Sequence, residues 1–136
     1  MIDLIHPANF HYFKNFISII KEKGHQVQIT ARNKDVLFNL LNENNIEFRD
    51  MGTPFPGFLG KMIYTLIAEK RFYSYASHFK PDIYISFSSS YVAHVSTLLG
   101  KPHISFDDTE HAKLNRIIYQ PFTDVILSPK SFDLDL

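Results

Sequence analysis

Short β-like runs alternate with longer helix-like runs along the whole of this 136-residue chain, and that alternation restricts the fold more than any other feature. Ile2–Ile5 reads as a strand. Phe10–Lys23 reads as a helix, with Phe13, Phe16, Ile17 and Ile20 at helical spacing and Gly24 as its stop. Gln26–Ala31 alternates Val27, Ile29 and Ala31 as a strand does, and Asp35–Asn44 returns to helical spacing through Val36, Leu37, Leu40 and Leu41. Ile46–Asp50 is a third strand. Thr53–Gly60, with two prolines and two glycines, reads as a loop before a long amphipathic helix over Lys61–Phe79. Pro81 ends that helix and introduces a strand over Asp82–Phe87, then a polar turn at Ser88–Ser90 and a helix over Tyr91–Leu99. His103–Phe106, Glu110–Tyr119 and Asp124–Leu127 complete the series as strand, helix and strand. Such alternation calls for right-handed crossovers, a mainly parallel sheet and helices on both faces. The expected fold is therefore a doubly wound, Rossmann-like α/β domain.

Composition narrows the function classes. Fourteen basic residues balance fourteen acidic ones and no Lys/Arg block occurs, so nothing favours nucleic acid as a partner. The chain has no cysteine, which removes disulfides and thiolate metal sites and agrees with a cytoplasmic setting. It opens without a basic n-region or a long apolar run, so neither a signal peptide nor a membrane span is expected. The tail PKSFDLDL is acidic and loop-like. It reads as a boundary: one domain over residues 1–129, then the start of a linker at 130–136 to a further C-terminal domain.

Ligands of open parallel sheets bind beyond the carboxyl ends of the strands, and polar residues follow three strands here. HPANFHYF, residues 6–13, holds His6, Asn9 and His11 near a helix N-terminus, where free backbone N–H groups suit an anion or a substrate oxygen. Asn9 also suits a plain capping role. No Gly-rich fingerprint is present, which disfavours a dinucleotide. Ser88, Ser89 and Ser90 suit helix capping or contact with a hydroxyl or phosphate, but lack the glycines of a nucleophile elbow. FDDTEHAKL, residues 106–114, is the densest cluster: Asp107, Asp108, Thr109, Glu110 and His111 offer acid–base groups and acceptors for hydroxyls. Asp107, Asp108 and His111 lack a metal-binding spacing, so no metal and no cofactor is expected. His25, His78, His94 and His103 stand isolated in sequence, and His103 reads as a core or rim residue.

These segments carry a family resemblance. HPANFHYFK resembles the opening N-P-P-H-V-H-F-F-like loop of the family catalogued as domain of unknown function 354, with His11, Phe13 and Lys14 matching and Asn9 in place of a family His. GHQVQITAR resembles its G-H-E-V-x-I-T-A-R segment, and KPDIYISFSSSYVAHVSTLLGKP its K-P-D-V-x-x-S segment. SFDDTEHAKLNRIIYQPFTDVILSP resembles the most distinctive run, D-D-T-E-H-A, and coverage extends to about Pro129. The resemblance implies the N-terminal, acceptor-side half of a GT-B glycosyltransferase, similar in form to nonhydrolysing UDP-N-acetylglucosamine 2-epimerases.

From that resemblance follow the expected roles. The complete enzyme would transfer a sugar from a nucleotide sugar to a sugar or lipid-linked acceptor, with inversion and without metal. His11 would be the general base; Asp107, Asp108, Glu110 and His111 would hold acceptor hydroxyls or close the cleft. His6, Asn9, Ser88, Ser89, Ser90 and Thr109 would line the substrate site. This chain alone, lacking the donor half, is expected to be inactive. An epimerase half and a non-catalytic docking subunit of a split enzyme remain as alternatives. Phe55, Phe58, Leu59 and Met62 beside Lys61 resemble the apolar, basic loops with which enzymes of lipid-linked acceptors touch a membrane; the same face equally suits core packing or contact with another half.

Overall fold

The computed structural model describes residues 1–108 and 113–130. Six strands form one sheet: β1 (Ile2–Leu4), β2 (Ile29–Ala31), β3 (Phe48–Asp50), β4 (Tyr84–Phe87), β5 (His103–Phe106) and β6 (Val125–Leu127). Their order is β3-β2-β1-β4-β5-β6, with every pairing parallel. The helices are α1 (Pro7–Glu22), α2 (Leu37–Glu43), α3 (Gly57–Phe79), α4 (Ser90–Leu98) and α5 (Lys113–Tyr119), followed by a short 3-10 turn at Gln120–Phe122. The Rossmann-like α/β class expected from the alternation is what the chain adopts.

Strand order reverses between β1 and β4, and right-handed crossovers then send the helices to opposite faces. Beneath α1 and α2, Ile2, Leu4, Ile29, Phe87 and the helix residues Phe10, Phe13, Ile17, Leu37 and Leu41 form one apolar core. Aromatic edges close it: the Phe13 ring lies 5.5 Å from that of Phe87 and 5.2 Å from that of Phe106. Such edge-to-face pairs contribute about 1 kcal/mol each beyond area burial. On the other face α3 buries Tyr64, Ala68, Phe72 and Ala76, a stripe at four-residue spacing, against Tyr84, Tyr91, Val92 and Val95.

Several elements are shorter or shifted by a few residues against the sequence reading, and two of these differences have a clear local cause. Helix α1 starts at Pro7, ahead of Phe10, because proline suits the first helical position and His6 caps it. Helix α3 starts at Gly57, so the second half of the expected Thr53–Gly60 loop is helical. Gly60 makes this feasible: a Cβ there would lie 2.8 Å from the Cβ of Phe55, so the loop folds back onto the helix only over a glycine.

The face beneath α3–α5 is polar within the sheet. Asp3, Thr30, Ser86, His103, Ser105 and Asp107 are all buried there. His103 lies between two hydroxyls, with Nε2 2.9 Å from Ser86 Oγ and Nδ1 3.0 Å from Thr123 Oγ1. Thr123 donates its own proton to the Tyr119 carbonyl, so it accepts from Nδ1–H, and Nε2 accepts from Ser86. The ring is thus neutral, a core residue as the sequence reading had it. His94, isolated in sequence, gains a partner through the fold: its Nδ1 lies 2.6 Å from Glu69 Oε1, bridging α4 to α3.

Burial lowers the His103 pKa from 6.5 to about 4, with Asp124 opposing the shift. Between those values the unfolded chain takes up a proton that the folded chain refuses. Stability therefore falls as pH drops from 6.5 towards 4, by on the order of 3 kcal/mol. Urea unfolding across that window should show the loss, and His103→Gln should remove its share of it. An unchanged pH profile in the variant would contradict the buried neutral imidazole.

Candidate functional site

The carboxyl edge of the sheet gathers the loops that leave β1, β4 and β5, on both sides of the point where strand order reverses. After β1, His6 is the N-cap of α1: its Nδ1 accepts from Ala8 N at 3.2 Å. Asn9 completes a capping box, with Oδ1 accepting from Ile5 N at 3.1 Å and His6 N at 3.0 Å. The Asn9 carbonyl is therefore spent on the backbone. His6 Nε2 remains exposed, 4.0 Å from Asp35 Oδ2.

His11 lies on the next turn of α1, exposed, with its ring 5.4 Å from that of Phe10. No described residue hydrogen-bonds to the imidazole. Its neighbour Tyr12 rests 5.3 Å from the Phe87 and Phe106 rings, the last residues of β4 and β5. This contact brings the start of α1 alongside the loops at Ser88 and Asp107.

After β4, Ser88 adopts φ 45°, a left-handed conformation that costs a non-glycine residue of order 1 kcal/mol. Bonds to β5 hold it there: its amide donates to Ser105 Oγ at 3.0 Å and to the Phe106 carbonyl at 3.1 Å, and its hydroxyl donates to the same carbonyl at 3.2 Å. Ser89 then occupies the N-cap of α4, but its hydroxyl makes no capping bond, and Ser90 begins the helix. The Ser89 hydroxyl is buried beside the Asp3 carboxyl without a complete hydrogen bond to it or to any other described group.

After β5, Asp107 is 2% exposed. Its Oδ2 accepts from Arg116 Nε at 3.0 Å and Tyr119 OH at 2.7 Å, which ties α5 to the strand end. Asp108 is exposed. Thr109, Glu110 and His111 lie outside the described residues. Among the described residues no three His, Asp or Glu side chains gather closely enough to hold a metal ion.

A second polar cluster escaped the sequence reading. Asp3, fully buried at the centre of β1, accepts from Thr30 Oγ1 at 2.6 Å and from Tyr91 OH at 2.5 Å. Tyr91 accepts in turn from Arg32 Nε at 3.3 Å. The Arg32 guanidinium sits 5.2 Å from the Tyr64 ring centre and 5.0 Å from that of Tyr91. Burial pushes the Asp3 carboxyl above its usual range, while Arg32, Thr30, Tyr91 and Ser89 pull it back. Burial likewise pushes the Tyr64 hydroxyl up to about 12, against the pull of Arg32. The available signal was a charge interrupting an apolar strand, Asp3 in MIDLI, paired in register with Thr30 of β2.

A depression of about 750 Å³ lined by Val27, Glu47, Arg49 and Phe79 lies towards the opposite, amino-terminal edge. Ligands of parallel sheets do not bind there by rule, so the carboxyl edge is the candidate site.

Solved structures share this parallel Rossmann-like fold, glycosyltransferases among them. MurG of Acinetobacter baumannii matches with a TM-score of 0.73 at 17% identity, over 96% of this chain and 42% of that one. The spinosyn forosaminyltransferase SpnP matches at 0.61 and 12% identity, over 82% of this chain and 31% of that one. The glycosyltransferase VinC, solved in complex with dTDP, matches at 0.60 and 12% identity, over 90% and 38%. The chain thus spans less than half the length of each. It belongs to the protein family of unknown function DUF354, whose model matches residues 1–136. No curated protein matches it.

Removing the Asp3 carboxylate should be severe, because it strands the Thr30 and Tyr91 hydroxyls and the Arg32 charge. Asp3→Ala is expected to cost roughly 3–5 kcal/mol, whereas Thr30→Val, which removes one bond, costs about 1 kcal/mol. Denaturant titration of both variants distinguishes them. Equal, small losses would show that the carboxylate holds nothing together.

Proposed function

We propose that this chain is the acceptor-side half of a nucleotide-sugar-dependent glycosyltransferase, inverting and metal-independent, whose donor-binding half lies outside it. The observation that carries the reading is the convergence of the β1, β4 and β5 loops at one edge, alongside the start of α1, which carries an exposed His11 with no hydrogen bond to any described residue. In this reading His11 takes the proton of the acceptor hydroxyl. The freed oxygen bonds to the anomeric carbon as the bond to the nucleotide diphosphate breaks. Asp108, Glu110 and His111 hold acceptor hydroxyls, with Thr109, Ser90 and His6 around them. Asp107 acts through position, because Arg116 and Tyr119 already occupy its Oδ2. The linker from residue 130 onward leads to the donor half, and the pathway is the assembly of a surface polysaccharide or glycolipid on the cytoplasmic side.

A lipid-linked acceptor fits the N-terminal half of α3. Phe58, Leu59, Met62 and Leu66 are exposed by 69, 72, 53 and 67% there, with Phe55 and Lys61 beside them. Exposed apolar side chains bordered by a cation favour the interface of an anionic bilayer. No described helix is long and apolar enough to cross a membrane.

In a protein joining this chain to its donor half, His11→Ala should reduce turnover by roughly 10²–10⁴-fold while the fold persists. Turnover within a few-fold of the unaltered enzyme would remove His11 from the base role. For the membrane contact, the chain should co-sediment with vesicles containing phosphatidylglycerol, and Phe58→Ser with Leu59→Ser should release it. Absence of binding by the unaltered chain would retire the idea.

A further inference from the structure

We propose that Arg32 and Tyr64 form a subsite for a single anionic group, a carboxylate or a phosphate monoester, on the bound acceptor; this rests on reading the carboxyl edge as the acceptor side. Arg32 directly follows the last residue of β2, so it stands at that edge. Its side chain is already fixed. The guanidinium is stacked against the Tyr64 and Tyr91 rings, and Nε donates to Tyr91 OH, which Asp3 anchors from below. A ligand meeting this guanidinium finds it ordered, so little side-chain entropy is lost on contact.

The donors that remain point to a ligand. Neither Nη nitrogen of Arg32 donates to a described residue, and the residue is half-buried at the strand end. The Tyr64 hydroxyl, on the ring the guanidinium covers, is buried and has no hydrogen-bond partner among the described residues. A buried hydroxyl left unpaired is destabilising, and an incoming oxygen would remove that cost. Two parallel N–H groups match two oxygens of one planar or tetrahedral anion, a geometry that a neutral hydroxyl does not use. Arg71 and Asp50 also act on Tyr64. Asp3 has both oxygens engaged by Thr30 and Tyr91, and its charge also acts on Arg32.

The test is direct binding to the 136-residue chain. Glucose 6-phosphate, glucuronate and neutral glucose are titrated while the Arg32 Nε–H and Tyr64 ring resonances are followed by NMR. The two anions should move both signals and glucose should not. The tighter of the two identifies phosphate or carboxylate as the group recognised. Arg32→Gln should weaken binding by about tenfold or more, and Arg32→Lys, which keeps the charge but loses the fork, should fall between. Tyr64→Phe keeps the stacked ring and should weaken binding several-fold, so it decides the matter should Arg32→Gln fail to fold. Unmoved Arg32 signals with both anions, or anion binding unchanged by Tyr64→Phe and Arg32→Gln, would overturn the subsite. Glucose binding at this edge as tightly as the anions would overturn it too, yet leave the acceptor-side reading standing.

Discussion

A carboxylate sealed in the central strand organises one whole face of this domain. Asp3 has no exposure, and a buried charge is tolerated only when other groups replace water around it. Thr30 from β2 and Tyr91 from α4 do so, and Arg32 supplies the opposite charge through Tyr91. Four elements are thereby fixed to one another: β1, β2, α4 and, through the Tyr64 ring on the guanidinium, α3. Apolar packing alone would hold these elements together but would not set their register so tightly. The opposite face needs no such device, because α1 and α2 cover it with interlocking Phe, Ile and Leu side chains.

That division explains where the candidate site lies. Strand order reverses between β1 and β4, so helices leave the carboxyl edge in opposite directions and open a crevice. The apolar face brings the start of α1 to the crevice, where Tyr12 seats it against the ends of β4 and β5. The polar face brings Ser88, Ser89 and Asp107. Positive φ at Ser88 turns the chain sharply at this point, and its bonds to β5 hold the turn. Rigid strands with short loops are the arrangement that keeps a site's side chains at fixed spacing.

Much of the fold could be read from hydrophobic periodicity, since a strand covered on both faces is an apolar run and a covering helix shows its buried stripe. Boundaries were less legible where tertiary contact overrode local signals: the PFPG stretch looks like a loop, yet Phe55 packing on Gly60 lets the helix start at Gly57. The site was half legible. His6, Asn9 and the serines stand out because polar residues cluster after strands, and a capping role for Asn9 could be read, but the inward-facing Ser89 could not. Asn9 serves the backbone and Ser89 faces inward at an N-cap it does not satisfy. The Asp3–Tyr91–Arg32 network was invisible in periodicity, because its members are separated by up to 88 positions and meet only through the crossovers.

The central claim is that this half of the architecture meets the acceptor and not the nucleotide sugar. Its most direct test is thermal unfolding of the chain in the presence of UDP- and dTDP-sugars at rising concentration. A ligand bound to the native state stabilises it by about 2.7 kcal/mol at a hundredfold excess over its dissociation constant, enough to raise Tm by several degrees. The account predicts a Tm that does not move with any nucleotide sugar. A concentration-dependent rise would contradict it and would assign donor contacts to the edge formed by His6, His11, Ser88 and Asp107.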